Sequence, residues 1–191
     1  PPYDAAGWTL AYQMGVEFDR VLDGFDGPFQ AVPDVTKPPA AVFEDKTGAA
    51  GYLVDHRVND SFIAANRALK AGLEVYWLKE GVEAAGRNYP AGAFFFPEGD
   101  TTRSILKKAA SELGVDVRAV EARPQAGAFK LTRPRVGLWD AYGGSMASGW
   151  MRWLFEQFEF PYELVFAPDL DRGGLSSKYD VLVFVGGSMP R

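Results

Sequence analysis

Two glycine-rich turns, each directly after an apolar run, carry the residue types in this sequence that are best suited to hold a ligand. Val136 to Trp139 is followed by Asp140 and then by Gly143-Gly144-Ser145. Val181 to Val185 is followed by Gly186-Gly187-Ser188. A glycine turn before a helix can aim backbone N–H groups at an anion, helped by the helix dipole. We therefore predict a ligand-binding site built from Asp140, Gly143, Gly144, Ser145, Gly186, Gly187 and Ser188.

The chemistry of these turns stays open at the level of the sequence. No Gly-x-Gly-x-x-Gly follows a predicted strand, and no glycine loop ends in Gly-Lys-Ser or Gly-Lys-Thr. Ser145 can equally be the N-cap of the helix that follows it. Gly186 and Gly187 can present amides as an oxyanion hole, or they can form a permissive turn. Asp140 stands where functional carboxylates collect, at the carboxyl end of a strand.

Other reactive residue types are scarce, which limits the chemistry of this chain. It has no cysteine and a single histidine, His56. Thiol nucleophiles, disulfides, thiolate metal sites and a zinc site with several histidines are therefore excluded within it. His56 could act as a base, but no Gly-x-Ser-x-Gly elbow accompanies it. We read it as part of a polar cluster at a strand end, and we predict no catalytic residue and no metal site.

A second arrangement of carboxylates could support hydrolysis if folding brought its members together. Glu98, Asp100 and Asp140 are the residues concerned. Two such groups would have to flank the same bond, and their spacing in sequence does not show that they do. A paired-carboxylate hydrolase therefore stays an open alternative.

Composition and charge set broader limits. The chain has 191 residues, of which 47% are hydrophobic and 14% aromatic, so one large domain or a domain with an extra segment can form. Its net charge of -5 argues against binding nucleic acid, which needs clustered cations. No run reaches the roughly 18 consecutive apolar residues of a membrane-spanning helix. We predict neither a nucleic-acid nor a membrane partner.

The first fifty residues predict a short helix, a short strand and an irregular connector. Asp4 can cap a helix over Ala5 to Met14, and the alternation from Val16 to Leu22 suits a short strand. Glycine and proline are dense in residues 23–50, which predicts an irregular connector. We therefore divide the chain into residues 1–50, a helix and connector, and residues 51–191, an α/β domain.

From residue 51 onward the pattern strand, helix, strand occurs three times. In the first unit the strands are 52–54 and 74–78 and the helix is 61–71. In the second unit the strands are 93–96 and 115–120 and the helix is 102–113. In the third unit the strands are 136–139 and 162–166 and the helix is 146–158. A last strand, Val181 to Val185, is apolar throughout, which is typical of burial on both faces. Together these elements predict a three-layer α/β fold, a mostly parallel sheet with helices on both faces. Core packing is the expected role of most of the five tryptophans, with one or two of them at an interface.

Several stretches resemble a known family. Pro2 to Leu10, then Gln13 to Val16, resembles the segment after the peptidase domain in large bacterial zinc carboxypeptidase-like proteins. The opening of their C-terminal domain is similar to four stretches here, namely Pro134 to Leu138, Gly149 to Glu156, Phe160 to Tyr162 and Tyr179 to Val183. That domain resembles class I glutamine amidotransferases, whose fold is flavodoxin-like. The resemblance implies a flavodoxin-like, amidotransferase-like fold for residues 51–191.

The catalytic chemistry of these families does not carry over to this chain. The peptidase needs His-x-x-Glu, but His56 is followed by Arg57, Val58 and Asn59. The amidotransferase needs a cysteine, and what matches instead is its glycine pair, here Gly186 and Gly187. The resemblance therefore implies a non-catalytic accessory region of a zinc metallocarboxypeptidase, for domain packing, assembly or ligand recognition.

Two alternatives remain beside that expectation. One is part of an amidotransferase- or hydrolase-like site completed by residues outside this chain, and the other is a flavin or nucleotide binder. The expected partners are the peptidase domain of the same parent protein or a second copy, and zinc is expected in the peptidase domain alone. The family implies a periplasmic or secreted location. Because the chain opens with Pro1 and stops soon after Ser188, we expect it to be part of a longer protein.

Overall fold

A computed structural model of the chain describes residue 11, residues 16–31 and residues 38–186. The chain divides into two compact units, Pro1–Thr36 and Lys37–Arg191. The boundary that we place after residue 50 stays a prediction. Apart from Ala11, which is helical, the helix predicted over Ala5 to Met14 lies outside the described residues. The strand predicted over Val16 to Leu22 is wrong, since residues 16–31 are irregular and their large apolar side chains are exposed.

The second unit contains ten strands and five helices among its described residues. The strands are β1 (Gly51–Val54), β2 (Tyr76–Leu78), β3 (Val82–Ala84), β4 (Arg87–Tyr89), β5 (Phe94–Pro97), β6 (Val117–Val120), β7 (Ala128–Lys130), β8 (Val136–Trp139), β9 (Tyr162–Val165) and β10 (Val181–Val183). The helices are α1 (Ser61–Lys70), α2 (Asp100–Leu113), α3 (Met146–Gln157), α4 (Ala167–Arg172) and α5 (Leu175–Lys178). No helix in the described part of the chain is long and apolar enough to cross a membrane.

Five strands form an antiparallel sheet in the order β6-β1-β5-β2-β7. The unit β1-α1-β2 spans β5, and the unit β5-α2-β6 spans β1. Two strand-helix-strand units interlocked in this way give the split βαβ arrangement of ferredoxin-like folds. Here the hairpin β3-β4 is inserted between the two units, and β7 is added at one edge.

Both faces of the antiparallel sheet are covered, but by different layers. On one face, Tyr52 and Val54 of β1 and Phe94 of β5 pack with Ala64 of α1 and Leu106 of α2 in one apolar core. The opposite face carries Leu53 and Phe95, which pack with Tyr89 of the β3-β4 hairpin. A strand turns successive side chains to opposite faces, so this alternation follows from the pleat of β1 and β5.

A second sheet has three parallel strands in the order β10-β8-β9. Helix α3 connects β8 to β9, and α4 and α5 connect β9 to β10. The central strand β8 pairs Leu138 with Leu164 on one side and with Val183 on the other. The strand order therefore reverses at β8. In open α/β sheets, ligands bind outside the carboxyl ends of the strands at such a point.

The predicted fold class is wrong. The structure contains no single three-layer, mostly parallel sheet with a flavodoxin-like or amidotransferase-like order across the described part of residues 51–191. Hydrophobic periodicity located most strands and helices, but it does not say which strands pair. The first two strand-helix-strand units interlock, so β5 lies antiparallel between β1 and β2 instead of extending a parallel sheet.

The last strand also differs from its prediction. The apolar run from Val181 indicated a strand buried on both faces, but β10 is an edge strand and Val181 is 47% exposed. Apolarity alone does not distinguish a central strand from an edge strand.

The two sheets are joined through the end of α3. Asn66, which is buried on α1, donates from Nδ2 to the carbonyl oxygen of Phe158 at 2.7 Å. Beside it, Arg67 forms an ion pair with Glu159, with 2.9 Å between Nη2 and Oε1. This hydrogen bonding to Glu159 is the largest cause of the raised pKa of Arg67. Glu159 sits at φ 56°, in the left-handed region, so the chain turns sharply at this junction.

Candidate functional site

The structure places Asp140 at the carboxyl end of the central parallel strand, as the sequence predicted, and buries it. The residue is 4% exposed. Its backbone N–H donates to the carbonyl oxygen of Val165 at 2.9 Å, and its Oδ1 accepts from the N–H of Ala141 at 2.9 Å. The main chain therefore binds one oxygen of this buried carboxylate at the strand end.

The turn after Asp140 has the conformation that its glycines predicted. Gly143 and Gly144 have φ of 96° and 73°, which glycine adopts without strain. A Cβ built on either residue would meet no atom within 4 Å, so open space surrounds the turn. Ser145 then caps α3, with its side-chain oxygen accepting from the N–H of Ser148 at 3.0 Å. The capping reading of Ser145 is the one that the geometry supports.

The second glycine turn reaches the same end of the parallel sheet. Gly186 has φ 56°, and a Cβ built on it would lie 3.1 Å from the Cβ of Ala147 in the first turn of α3. Two of the predicted segments, 143–145 and 186, are thus brought to one edge. Gly187 and Ser188 lie outside the described residues, and their predicted role stays a prediction.

Two polar groups near this edge were not anticipated from the sequence. Ser148 is fully buried, and its Oγ has no hydrogen-bond partner among the described residues. The Nε1 of Trp139 is likewise buried without a partner in the described part of the chain, beside the ring of Phe184 at 6.3 Å between centroids. A serine three residues after an N-cap serine gives no sequence signal of this kind, because its burial depends on how α3 packs.

An aromatic pair borders the open side of the edge. The ring of Tyr142 stacks on that of Phe166 with 4.8 Å between centroids and 2° between planes. Tyr142 nonetheless stays 76% exposed. The edge thus combines a buried carboxylate, a glycine turn in open space and an exposed aromatic ring. Within the turn, the N–H of Gly144 is already used, because it donates to the carbonyl oxygen of Ala141 at 2.9 Å.

The remaining carboxylates do not join Asp140. Glu98 and Asp100 follow β5 of the antiparallel sheet, where Arg103 pairs with both of them. The hydroxyl of Tyr52 accepts from Arg103 Nε at 3.3 Å, and burial is the main reason why the pKa of that hydroxyl is raised. The structure therefore makes Glu98 part of an ion-pair network and does not bring the paired-carboxylate arrangement together.

His56 lies in a third place, beside β5. Its Nδ1 is 4.0 Å from Asp55 Oδ1, but Asp55 is hydrogen-bonded to Arg57. Burial opposes ionisation of Asp55, yet the hydrogen bonds from Arg57 leave its pKa below the usual value. No group of three or more histidine, cysteine, aspartate or glutamate residues that could hold a metal ion occurs within residues 16–31 and 38–186. The geometry fits the polar cluster at a strand end.

Helix α3 exposes an aromatic surface, whereas the sequence predicted mainly core packing for the tryptophans, with one or two at an interface. Trp150 is 64% exposed and Trp153 is 49% exposed, and their rings meet edge to face. Met146 and Leu154 on the same helix are 85% and 40% exposed. We call these four residues the α3 surface. The helical spacing was read correctly, but the described residues supply no layer that covers Trp150 and Leu154.

A groove adjoins the α3 surface. It has a volume of about 370 Å³ and lies between α1 and α3. Its lining is almost wholly apolar and consists of Asn59, Phe62, Met151, Leu154, Phe155, Phe158 and Phe160. Leu154 belongs to both features, so the groove and the α3 surface form one continuous apolar area. The sequence did not predict the groove, because the groove forms only where α1 of the antiparallel sheet lies beside α3 of the parallel sheet.

Comparison with known proteins identified no relative of this chain. No family model, no curated protein and no solved structure matches the chain.

Proposed function

We propose that this chain is a non-catalytic accessory module that docks onto another protein through the α3 surface. The observation that carries the proposal is the exposed pair Trp150 and Trp153, 6.0 Å apart between ring centroids and 87° between planes. Tryptophan is among the residues that most often dominate the binding energy of protein interfaces. A monomer gains little from holding two such rings at 64% and 49% exposure.

The groove beside the α3 surface supports the same role. Phe62 of α1 and Phe158 at the end of α3 both line this open apolar groove, which can receive an inserted side chain. A partner whose apolar side chain enters this groove would cover Leu154 and place its neighbouring surface on Trp153. A stable interface of ordinary size buries about 800 Å² on each partner, and its centre is apolar with aromatic anchors.

The partner that we propose is the peptidase domain of a zinc carboxypeptidase-like parent protein. This assignment rests on the resemblance of residues 2–16 and 134–183 to the accessory region of that family. In this role zinc belongs to the peptidase domain, and the accessory module contributes packing and stability. A second copy of the chain is the competing occupant of the same surface.

The test is a titration of the full chain against the purified peptidase domain, followed by calorimetry, with Trp150→Gln/Trp153→Gln as the variant. The control variant is Phe129→Gln, which removes an aromatic side chain that is 59% exposed on β7 of the other sheet. We expect stoichiometric binding that the double variant weakens at least a hundredfold and the control leaves unchanged. Sedimentation of the chain alone decides whether a second copy takes the surface instead. Absence of both associations rejects the proposal.

A second candidate function uses the carboxyl edge of the parallel sheet. The close approach of Gly186 to Ala147, beside the buried Asp140, favours part of an amidotransferase- or hydrolase-like site completed by residues outside this chain. In that case N–H groups of the two glycine turns, other than the Gly144 N–H that donates to Ala141, would be the donors to a developing oxyanion. Glutamine hydrolysis by the parent protein, lost in an Asp140→Asn variant that still folds, would support it. Unchanged hydrolysis in that variant would reject it.

A further inference from the structure

A charged cleft lies at the opposite edge of the parallel sheet, where β8 and β9 begin. Its volume is about 290 Å³. Three cationic side chains line it, Arg133, Arg135 and Lys178, together with one acidic side chain, Glu163. In a chain with a net charge of -5, this local excess of positive charge is a departure from the average surface. Charge of one sign lining a cleft concentrates ions of the opposite sign.

Arg135 is held in place within the cleft. Its Nε and Nη2 donate to the carboxylate of Asp180 at 3.1 and 2.6 Å, and its Nη1 donates to the carbonyl oxygen of Ser177 at 2.6 Å. A guanidinium has five N–H donors. Two of them are not used by these three bonds. The side chain is therefore oriented before any ligand arrives, and it keeps donors to offer.

The other two cations have no acidic partner. Within the described residues, neither Arg133 nor Lys178 forms an ion pair or a side-chain hydrogen bond, and both are exposed. Glu163 forms an ion pair with neither of them, and its carboxylate accepts a hydrogen bond from the hydroxyl of Tyr179 at 3.1 Å. Burial is the first cause of the raised pKa of Tyr179, so this tyrosine donates as a neutral hydroxyl over the ordinary pH range. Because Asp180 balances Arg135, two unpaired cations and the one carboxylate of Glu163 remain, and the cleft keeps a net positive charge.

The rest of the lining is apolar or aromatic. Pro134, Val136, Pro161 and the ring of Tyr162 form the walls. The hydroxyl of Tyr162 donates to Glu156 at 2.8 Å, which fixes the ring. A volume of about 290 Å³ stands at the lower end of the range for small-molecule sites. The cleft is therefore suited to a ligand with one acidic group and a small planar or apolar body.

We infer that the cleft at the amino ends of β8 and β9 binds a small organic anion, with Arg133 and Lys178 contacting its carboxylate or phosphate and the proline and tyrosine walls contacting its body. Arg135, oriented by Asp180, completes the set of donors. This site is separate from the α3 surface and from the glycine turns at the carboxyl edge. It shares no residue with either.

The test uses the full chain labelled with ¹⁵N and three probes, phenyl phosphate, benzoate and benzyl alcohol, at constant low ionic strength because salt screens exposed charges. Binding is followed through the amide signals of Val136, Glu163 and Tyr179. We expect saturable shifts with at least one of the two anions and none with the alcohol. Which anion binds more tightly distinguishes a phosphate ligand from a carboxylate ligand.

Two double variants with the same change in charge distinguish anion binding by the cations of the cleft from attraction by the overall charge of the protein. Arg133→Gln/Lys178→Gln removes the unpaired cations, and Lys70→Gln/Lys107→Gln removes two exposed lysines elsewhere. We expect the first to weaken anion binding by about tenfold per cation, the size of a charge-assisted hydrogen bond, and the second to change it less than twofold. Equal weakening by both variants, shifts of equal size with benzyl alcohol, or no saturable shifts at these amides overturns the inference.

Discussion

The indole rings of Trp150 and Trp153 meet edge to face on one side of α3, with 6.0 Å between their centroids and 87° between their planes. Residues three apart on a helix are neighbours, so the spacing itself places the rings together. Their contact is with each other more than with the core, since they are 64% and 49% exposed. A helix surface of this composition is suited to docking.

The exposure of Trp150 separates a docking role from a role in the core. We expect Trp150→Gln to change the free energy of unfolding by less than about 1 kcal/mol, because few buried contacts are lost. Leu138→Ala, at a fully buried position on β8, should lower it by about 3 kcal/mol through lost burial and a cavity. Urea unfolding of both variants measures the difference. Equal losses would mean that Trp150 belongs to the core.

Substitution by alanine should change the stability of the protein in opposite directions at Gly137 of β8 and Gly149 of α3. A Cβ on Gly137 would lie 2.7 Å from Leu182 and 2.9 Å from Val165, so Gly137→Ala overpacks the sheet and should cost about 1–3 kcal/mol of stability. A Cβ on Gly149 would meet nothing within 4 Å, and Gly149→Ala should add about 0.5–1 kcal/mol through helix propensity. Thermal unfolding of the pair tests the close packing at β8, and a stable Gly137→Ala variant would contradict it.

Much of the fold could be read from the sequence, but not the pairing of its strands. Apolar spacing located α1, α2 and α3, and Gly114, at φ 67°, ends α2 as a glycine at that position predicts. The hairpin β3-β4 was missed, because Val82 to Tyr89 has few apolar residues and weak alternation. The antiparallel order arises because β5 fits between β1 and β2, a long-range choice that local periodicity does not encode.

The location of the candidate site could be predicted from the sequence, but the exposure and packing of the residues around it could not. A strand ending in Asp140 and a following glycine turn indicated the carboxyl edge, and the described members of the predicted set lie there. The groove between α1 and α3 depends on the meeting of Phe62 with Phe158, which are far apart in sequence. The exposure of Trp150 depends on what covers α3. Neither property is contained in the spacing of the residues along one helix.

Asn66 should prove important for keeping the two sheets together. Asn66→Ala removes the hydrogen bond to the carbonyl oxygen of Phe158 and leaves that acceptor without its side-chain donor, which should cost about 1–3 kcal/mol. We expect faster amide hydrogen exchange in α3 and β9 than in β1, since the junction loosens while the antiparallel core stays intact. Ser111→Ala, which removes an exposed hydroxyl on α2, is the control. Exchange that rises equally in both sheets would contradict this account of the junction.

The pair Arg135 and Asp180 should give the protein a specific pH dependence. Hydrogen bonding to Arg135 lowers the pKa of Asp180 from 3.8 to about 2. The resulting stabilisation is fully present above pH 3.8 and is lost as the pH falls through about 2. The free energy of unfolding of the unmodified chain should therefore fall more steeply between pH 4 and pH 2 than that of Asp180→Asn. Asp171→Asn, at an exposed carboxylate without an ion pair in the described residues, should keep the steeper fall. Identical slopes for all three proteins would contradict the pairing.

The most direct test of the proposed docking role is oxidative footprinting. It compares the chain alone with the chain bound to the proposed partner, the peptidase domain of a zinc carboxypeptidase-like protein. We predict that Trp150 and Trp153 are oxidised readily in the isolated chain and are protected severalfold in the complex. Phe129, which is 59% exposed on β7 of the other sheet, should keep the same reactivity in both samples. Equal oxidation of Trp150 and Trp153 in the free and the bound chain would contradict the central claim.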